Sequence, residues 1–193
     1  MAFVNSLSAF LCQSAVFLTP FVVAVVAVVA IKFAISTDWY KKLFAEFETK
    51  YAECTKQIFH PLRQKIFDDL SENLKEVNGD VLEIGIGAGE NFLYYPQGTS
   101  IIAVDSNPYV ERLLRENLEK IGDRVHLKKF VVASAEDMSC TSGRLGVGNN
   151  SVAAVVCTLV FCSLTDEQTT KILQEVKRVL KPVSIHVFSL MYF

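Results

Sequence analysis

The sequence predicts an α/β domain on a parallel sheet, joined to an uncharged apolar segment at its amino end. Three observations carry this. From Asp80 onward, short β-branched runs alternate with amphipathic stretches. The first such run, VLEI, opens into a bare loop with glycine at 85, 87 and 89. From Met1 to Ile31 there is no charged side chain. Strands alternating with helices imply right-handed βαβ units, and ligands of such sheets bind at the carboxyl ends of the strands.

The bulk composition bounds the possibilities. The 193 residues suit one compact domain plus an appendage, and the net charge of -2 gives no basic surface for nucleic acid. The five cysteines are odd in number and form no C-x-x-C pair, which fits a reduced, cytosol-facing protein. His60, His126 and His186 stand apart from one another and from cysteine pairs, so no sequence-local metal site is expected.

Residues 1–35 are expected to be a membrane anchor. The run Ala15 to Ile31, extended back to Leu7, reaches the length of a spanning segment. It has no basic start and is long for a cleavable signal. Lys32, Lys41 and Lys42 follow it, so the positive-inside rule keeps the rest of the chain in the cytosol. Pro20 leaves a hairpin that enters and leaves one leaflet as the other arrangement. The sequon Asn149-Asn150-Ser151 would then stay unmodified.

Residues 36–79 read as amphipathic linker helices. Leu43, Phe44, Phe47, Tyr51 and Cys54 recur at helical spacing. Asp38 is the expected cap, and His60-Pro61 the expected break before a second helix from Leu62 to Val77. The aromatic stripe suits packing on the domain, and Trp39, Phe44 and Phe47 also suit a membrane interface.

Within residues 80–193 the elements follow in order. Strands are predicted over Asp80–Ile84, Ser100–Asp105, Val125–Val132, Val152–Leu159 and Ser184–Tyr192. The VAAVVCTL run is apolar throughout, as a strand buried on both faces should be. A helix is predicted over Pro108–Ile121, with Pro in its first turn and Gly122 after its end. Another follows over Thr165–Leu180, with Thr165 as N-cap and Gln168 at the capping-box position.

The loop chemistry selects the ligand. A dinucleotide fingerprint is G-x-G-x-x-G, but here the spacing is G-x-G-x-G and position 90 is Glu. This argues against a nicotinamide cofactor. Glu83 repels phosphate and suits an ammonium group. Asp105, at the end of the second strand, can accept from both ribose hydroxyls. A ligand with adenosine at one end, an amino acid at the other and no phosphate meets these demands, and S-adenosylmethionine is such a ligand.

The motifs E-x-G-x-G-x-G at Glu83 to Gly89, VDSNP at Val104 to Pro108 and ASAED at Ala133 to Asp137 resemble those of class I S-adenosylmethionine-dependent methyltransferases. LEIGIGAGENFLYYP, DSNP, FVVASAEDM and VVCTLVFCSL, behind an apolar amino-terminal segment, look like the methyltransferase-like seven family. That resemblance implies a Rossmann-like class I methyltransferase fold. It also implies a membrane-anchored protein of endoplasmic reticulum or lipid droplets, methylating alkyl thiols. Carried onto this chain, it has Glu83 orient the methionine ammonium through water. The backbone of Gly85, Gly87 and Gly89 lines methionine and ribose. Asp105 takes the ribose hydroxyls, and Ser106 and Asn107 flank the adenine. Ala135 and Glu136 meet the adenine edge, and Cys157 to Leu159 face the sulfonium. Cys157 and Cys162 themselves read as packed apolar residues rather than nucleophiles.

The sequence departs from that pattern at one end. Lys181-Pro182 is followed by Val183-Ser184 where such enzymes read K-P-G-G, and nothing corresponding to the last two strands follows. The expectation is a shortened domain with the cofactor half retained and the last-predicted strand at an open edge. Two functions fit. One is a membrane-anchored methyltransferase of small lipophilic acceptors, alkyl thiols foremost. The other is a catalytically impaired membrane or lipid-droplet protein that retains at most cofactor binding.

Overall fold

A computed structural model describes residues 26–139 and 146–182, and the backbone of 187–190. Residues 26–36 form a helix, α1, whose Val26, Val28, Val29, Ile31 and Phe33 are exposed. The greater part of the expected anchor lies outside the described residues. No helix among the described residues is long and apolar enough to cross a membrane.

The next helix, α2, runs over Asp38–Glu76. Its cap is Thr37, whose Oγ1 accepts from the Tyr40 N–H at 3.3 Å, while the expected Asp38 is already helical. The predicted break at His60-Pro61 does not occur, and α2 continues through Pro61 for 39 residues. An interior proline costs about 3 kcal/mol, so packing on either side must exceed that. Arg63, Phe67 and Leu70 after the proline are buried. Just before it, the His60 Nδ1 lies 3.1 Å from the Tyr94 hydroxyl.

The sheet has five parallel strands: β1 (Asp80–Ile84), β2 (Thr99–Asp105), β3 (Val125–Val132), β4 (Val152–Thr158) and β5 (Val187–Leu190), in the order β3-β2-β1-β4-β5. The chain steps outward from β1 to β3, then crosses back to the far side of β1. The reversal opens a crevice at the carboxyl ends of β1 and β4. Strands β1 and β3 have the predicted bounds. Helices α3 (Val110–Ile121) and α4 (Asp166–Val179) follow β2 and β4. Thr165 caps α4 with the predicted reciprocal bonds to Gln168. Helix α3 starts two residues later than predicted, because Pro108 lies in the turn that follows β2.

Alternation along the strands divides the core. Leu82, Ile84, Val155 and Cys157 pack with Ile172, Val176 and Val179 of α4. Val81, Ile101, Ala103, Ala154 and Val156 pack with Phe67 and Leu70 of α2 and Leu114 of α3. One sheet face is thus covered by α4 and the other by α2 and α3. Glu83 follows Leu82 and precedes Ile84, so it points to the α2 face.

Phe67 joins the helix to that face. It is 1% exposed, with its ring edge-on to Tyr95 at 4.7 Å and tilted against Tyr94 at 5.7 Å. Phe67→Ala is expected to lower unfolding stability by about 3–5 kcal/mol, measured by denaturant titration. A loss under about 1 kcal/mol would mean that α2 is not part of the cooperative core.

Candidate functional site

The residues singled out by sequence meet at the carboxyl ends of β1, β2 and β4. β1 ends in Glu83-Ile84 and turns sharply into the loop Gly85–Glu90. Gly85, Gly87 and Gly89 all have positive φ, at 67°, 55° and 82°. Their bareness has different causes. A Cβ on Gly85 would collide with the Val160 side chain, and one on Gly89 with the Phe92 ring. A Cβ on Gly87 would approach only the Glu90 carboxylate, at 3.2 Å. Protein packing therefore demands glycine at 85 and 89. Gly87 keeps open the cradle above the loop.

Asp105 closes that cradle. Its Oδ2 accepts from the Gly87 N–H at 3.0 Å and its Oδ1 from the Asn107 N–H at 2.8 Å. The carboxylate is thus fixed between the glycine loop and the turn into α3. Ser106 is exposed beside it, and the Asn107 Oδ1 accepts from the Tyr109 N–H at 3.1 Å. Burial pushes the Asp105 carboxyl up, against the backbone donors that lower it.

Glu83 is enclosed, at 0% exposure. Its Oε1 accepts from Asn91 Nδ2 and its Oε2 from the Tyr95 hydroxyl, both at 2.8 Å. Asn91 Nδ2 also donates to Thr158 Oγ1 at 2.9 Å, so one amide ties the end of β1 to the end of β4. Burial raises Glu83 to about 7, against the lowering effect of these donors and of Arg63. A ligand therefore feels Glu83 through Asn91 and through its charge.

The other predicted residues lie around the same edge. Ala135 is 7% exposed, in the turn after β3. The Glu136 Oε1 accepts from Ser134 Oγ and from Gln168 Nε2, each at 3.1 Å, which links that turn to the cap of α4. Cys157 is fully buried, and burial followed by the Glu83 charge pushes its thiol up to about 12. Cys157 is the packed cysteine the sequence suggested, whereas Cys162, expected to be packed as well, is exposed in the turn after β4. Two residues after Cys157, Leu159 takes a φ of 59°, a left-handed backbone that is rare for a branched side chain and recurs at functional edges.

Sequence reasoning missed several members. Glu90 and Glu48 add carboxylates here. Burial raises Glu90. Partial enclosure, then the charges of Asp105 and Glu90, raise Glu48 to about 7, although its side chain is open to solvent, which moderates the effect. Arg63 and Asn91 bring the only buried side-chain atoms without a partner among the described residues, Arg63 Nε and Asn91 Oδ1. A lone cation on the Phe67-Leu70 stripe of α2 was the available sequence signal for Arg63. Asn91 and Tyr95 had none, since the stretch after the glycines shows no period.

This set fits S-adenosylmethionine, a net cation with a zwitterionic head. The acids lack enough cationic partners, the loop cradle is open at Gly87, and one buried donor and one buried acceptor stand unpaired beside Glu83. A separate cavity of about 490 Å³ opens at the amino ends of β1 and β2, lined by Ser71, Leu74, Asp80 and Thr99, and holds none of these residues.

The Glu83 arrangement has a sign that can be measured. Its folded value of about 7 lies above the ordinary 4.5, so its contribution to stability is complete below pH 4.5 and is lost as pH rises through 7. Relative to Glu83→Gln, the wild-type protein should lose about 1–3 kcal/mol of unfolding free energy between pH 4.5 and 8. A difference independent of pH would show that Glu83 does not titrate in this window.

Comparison with known proteins agrees with this geometry. The methyltransferase domain family matches residues 82–188. The chain is 40% identical to thiol S-methyltransferase TMT1A of Homo sapiens over 59% of its own length and 45% of that protein. It is 36% identical to thiol S-methyltransferase TMT1B of Mus musculus over 65% of its length and 48% of that protein. The chain thus spans about half the length of these curated relatives. Among solved structures, an S-adenosyl-L-methionine-dependent methyltransferase of Methanococcus maripaludis superposes with a TM-score of 0.51 at 17% identity, over 75% of this chain and 59% of that one. A sarcosine dimethylglycine methyltransferase of Galdieria sulphuraria does so at 0.51 and 21%, over 66% and 45%. Glycine loop, the acid that ends β2, strand order and family match converge: the chain belongs to the class I methyltransferase domain family, whose cofactor is S-adenosylmethionine.

Proposed function

We propose that this protein transfers the methyl group of S-adenosylmethionine to small lipophilic acceptors, alkyl thiols foremost, at a membrane surface. The observation that carries the reading is Asp105, pinned between the Gly87 and Asn107 amides at the carboxyl end of β2. There it accepts from the ribose hydroxyls. Ser106 and Asn107 flank the adenine on one side, and Ala135 and Glu136 on the other. The Gly85–Gly89 backbone lies along ribose and methionine. Glu83, working through Asn91, sets the charge that favours the ammonium, and the Cys157–Leu159 edge faces the sulfonium. Bound here, the cofactor supplies an already activated methyl group, so the protein's task is to position donor and acceptor in line. Support for a thiol acceptor comes from the names of the curated relatives.

Support for the membrane comes from composition and from α2. The uncharged run before Lys32 reaches a spanning length, and the following lysines favour a cytosolic domain at endoplasmic reticulum or lipid droplet. Helix α2 also carries a second apolar stripe. Phe44, Phe47, Tyr51, Ile58 and Leu62 are exposed at spacings of three and four, or their sum. Such a surface suits a bilayer interface and a lipophilic acceptor arriving through it.

Calorimetric titration of the detergent-solubilised chain with S-adenosylhomocysteine should show saturable binding. Asp105→Ala should weaken it at least about tenfold, the scale of losing hydrogen bonds to a charged acceptor. Incubation with labelled S-adenosylmethionine and an alkyl thiol should yield the methyl thioether. Binding without product would favour a cofactor-binding protein that does not catalyse, and no binding by folded chain would sink the reading.

The crowded acids add a pH dependence. Glu48 and Glu83 stand near 7 in the free protein, and a cationic ligand favours their ionised forms. Affinity for S-adenosylmethionine should therefore rise between pH 6 and 8. Affinity for S-adenosylhomocysteine, which lacks the sulfonium charge, should rise less. Affinities for both ligands that do not change between pH 6 and 8 would remove these acids from cofactor binding.

A further inference from the structure

We infer that Arg63 of α2 receives the carboxylate of the cofactor's methionine moiety, an assignment that rests on the cofactor site proposed above. Arg63 is 5% exposed. Its guanidinium makes no hydrogen bond or ion pair with any described residue, and its Nε is enclosed without a partner. A buried guanidinium whose donors lack partners is costly. An anion at this position would relieve it.

The protein's own acids do not serve. Arg63 acts on the charges of Glu83 and Glu90, so it stands close to both. Neither comes within ion-pair distance. Both Glu83 oxygens are already taken, by Asn91 and Tyr95. Arg63 therefore lies within electrostatic reach of both acids, with its buried Nε unpartnered.

Its position follows from the helix. Arg63, Phe67, Leu70 and Leu74 form one stripe of α2, and Phe67 and Leu70 pack on the sheet face toward which Glu83 points. The thirteen steps from Arg63 to the end of α2 at Glu76 span about 20 Å, and the five residues of β1 about 17 Å. The stripe thus carries Arg63 to the carboxyl end of β1, where the loop begins. Toward its amino end the same stripe presents Ala45, Thr49, Ala52 and Phe59. Ala45 is 2% exposed and shares a groove with Pro108 and Tyr109, next to the ribose-side turn. Helix α2 therefore runs from the ribose side of the proposed crevice to the methionine side, with Thr49, Ala52 and Phe59 between.

The ligand's chemistry completes the match. With adenosine at Asp105 and the sulfonium at the end of β4, the amino-acid head falls beside Glu83. S-adenosylmethionine has one anionic group, and it shares a carbon with the ammonium. Around Glu83 the unpaired buried atoms are one cationic donor, on Arg63, and one neutral acceptor, Asn91 Oδ1. The planar fork of a guanidinium suits a carboxylate in a bidentate pair. The ammonium then lies toward Asn91.

The test compares S-adenosylmethionine with its decarboxylated derivative, which keeps adenosine, sulfonium and amine. Both are titrated calorimetrically into the full wild-type chain and into Arg63→Gln. The wild type should bind S-adenosylmethionine at least about tenfold more tightly than the derivative, as a charge-assisted pair is worth about 1.5–3 kcal/mol. Arg63→Gln should lose most of that preference, with affinity for the derivative changed less than about threefold. Arg63→Lys should retain part of it. Equal wild-type affinity for the two ligands would overturn the inference, and this arm needs no variant to fold. Equal weakening of both ligands in Arg63→Gln would also overturn it and make Arg63 a structural counter-charge. A wild-type chain that binds neither ligand would instead overturn the cofactor reading itself.

Discussion

Glu83 holds a carboxylate at the end of β1, inside the protein and out of reach of water. A charge there is costly unless donors surround it. The donors that meet this demand come from two places in the loop that follows, Asn91 and Tyr95. Each then binds another part of the fold. Asn91 reaches Thr158 and fixes the distance between β1 and β4. Tyr95 packs perpendicular to the Phe67 ring and brings α2 onto the sheet. The crevice, the loop and the helix that borders them are thus consequences of satisfying one buried acid. Burial outweighs these donors and raises Glu83 to about 7, so a cationic ligand nearby would favour its ionised form.

The glycine loop is shaped by the same economy of space. Gly85 and Gly89 are bare because Val160 and the Phe92 ring occupy the room a side chain would need. Only Gly87 is bare toward the crevice, and its N–H is spent on Asp105. A loop that looks in sequence like a uniform ligand cradle is two packing contacts and one open position. Substitution at 85 or 89 would collide with the core, and at 87 it would strain the left-handed backbone with only the Glu90 carboxylate to displace.

Much of this was legible. Strand periodicity located β1 and β3 to the residue, because buried parallel strands are apolar runs with abrupt polar ends. The Thr165 capping box is a local interaction, so its signature is local. Asp105 was legible because it ends a strand. The break expected at Pro61 was a local preference that tertiary packing overrode, and the cap on Thr37 rather than Asp38 is a one-residue choice between two good caps. Arg63, Asn91, Glu90 and Glu48 were not legible as a group. Their meaning lies in what they face across the crevice, and sequence spacing carries no record of that.

Helix α2 ties these strands of argument together. One of its stripes is buried or half-buried and includes Arg63. Another is aromatic and exposed. A helix with apolar residues on two sides suits neither a simple surface position nor a core position. On the membrane-surface reading proposed above, it would form a partition between the cofactor crevice and a lipid-like phase. A lipophilic acceptor dissolved in the bilayer would then meet the methyl donor across a single helix diameter, about 10 Å, rather than by passing through water. On that reading the exposed stripe and the buried arginine would be two sides of one device: the outer face would set where acceptors are concentrated, and the inner face how the donor is held.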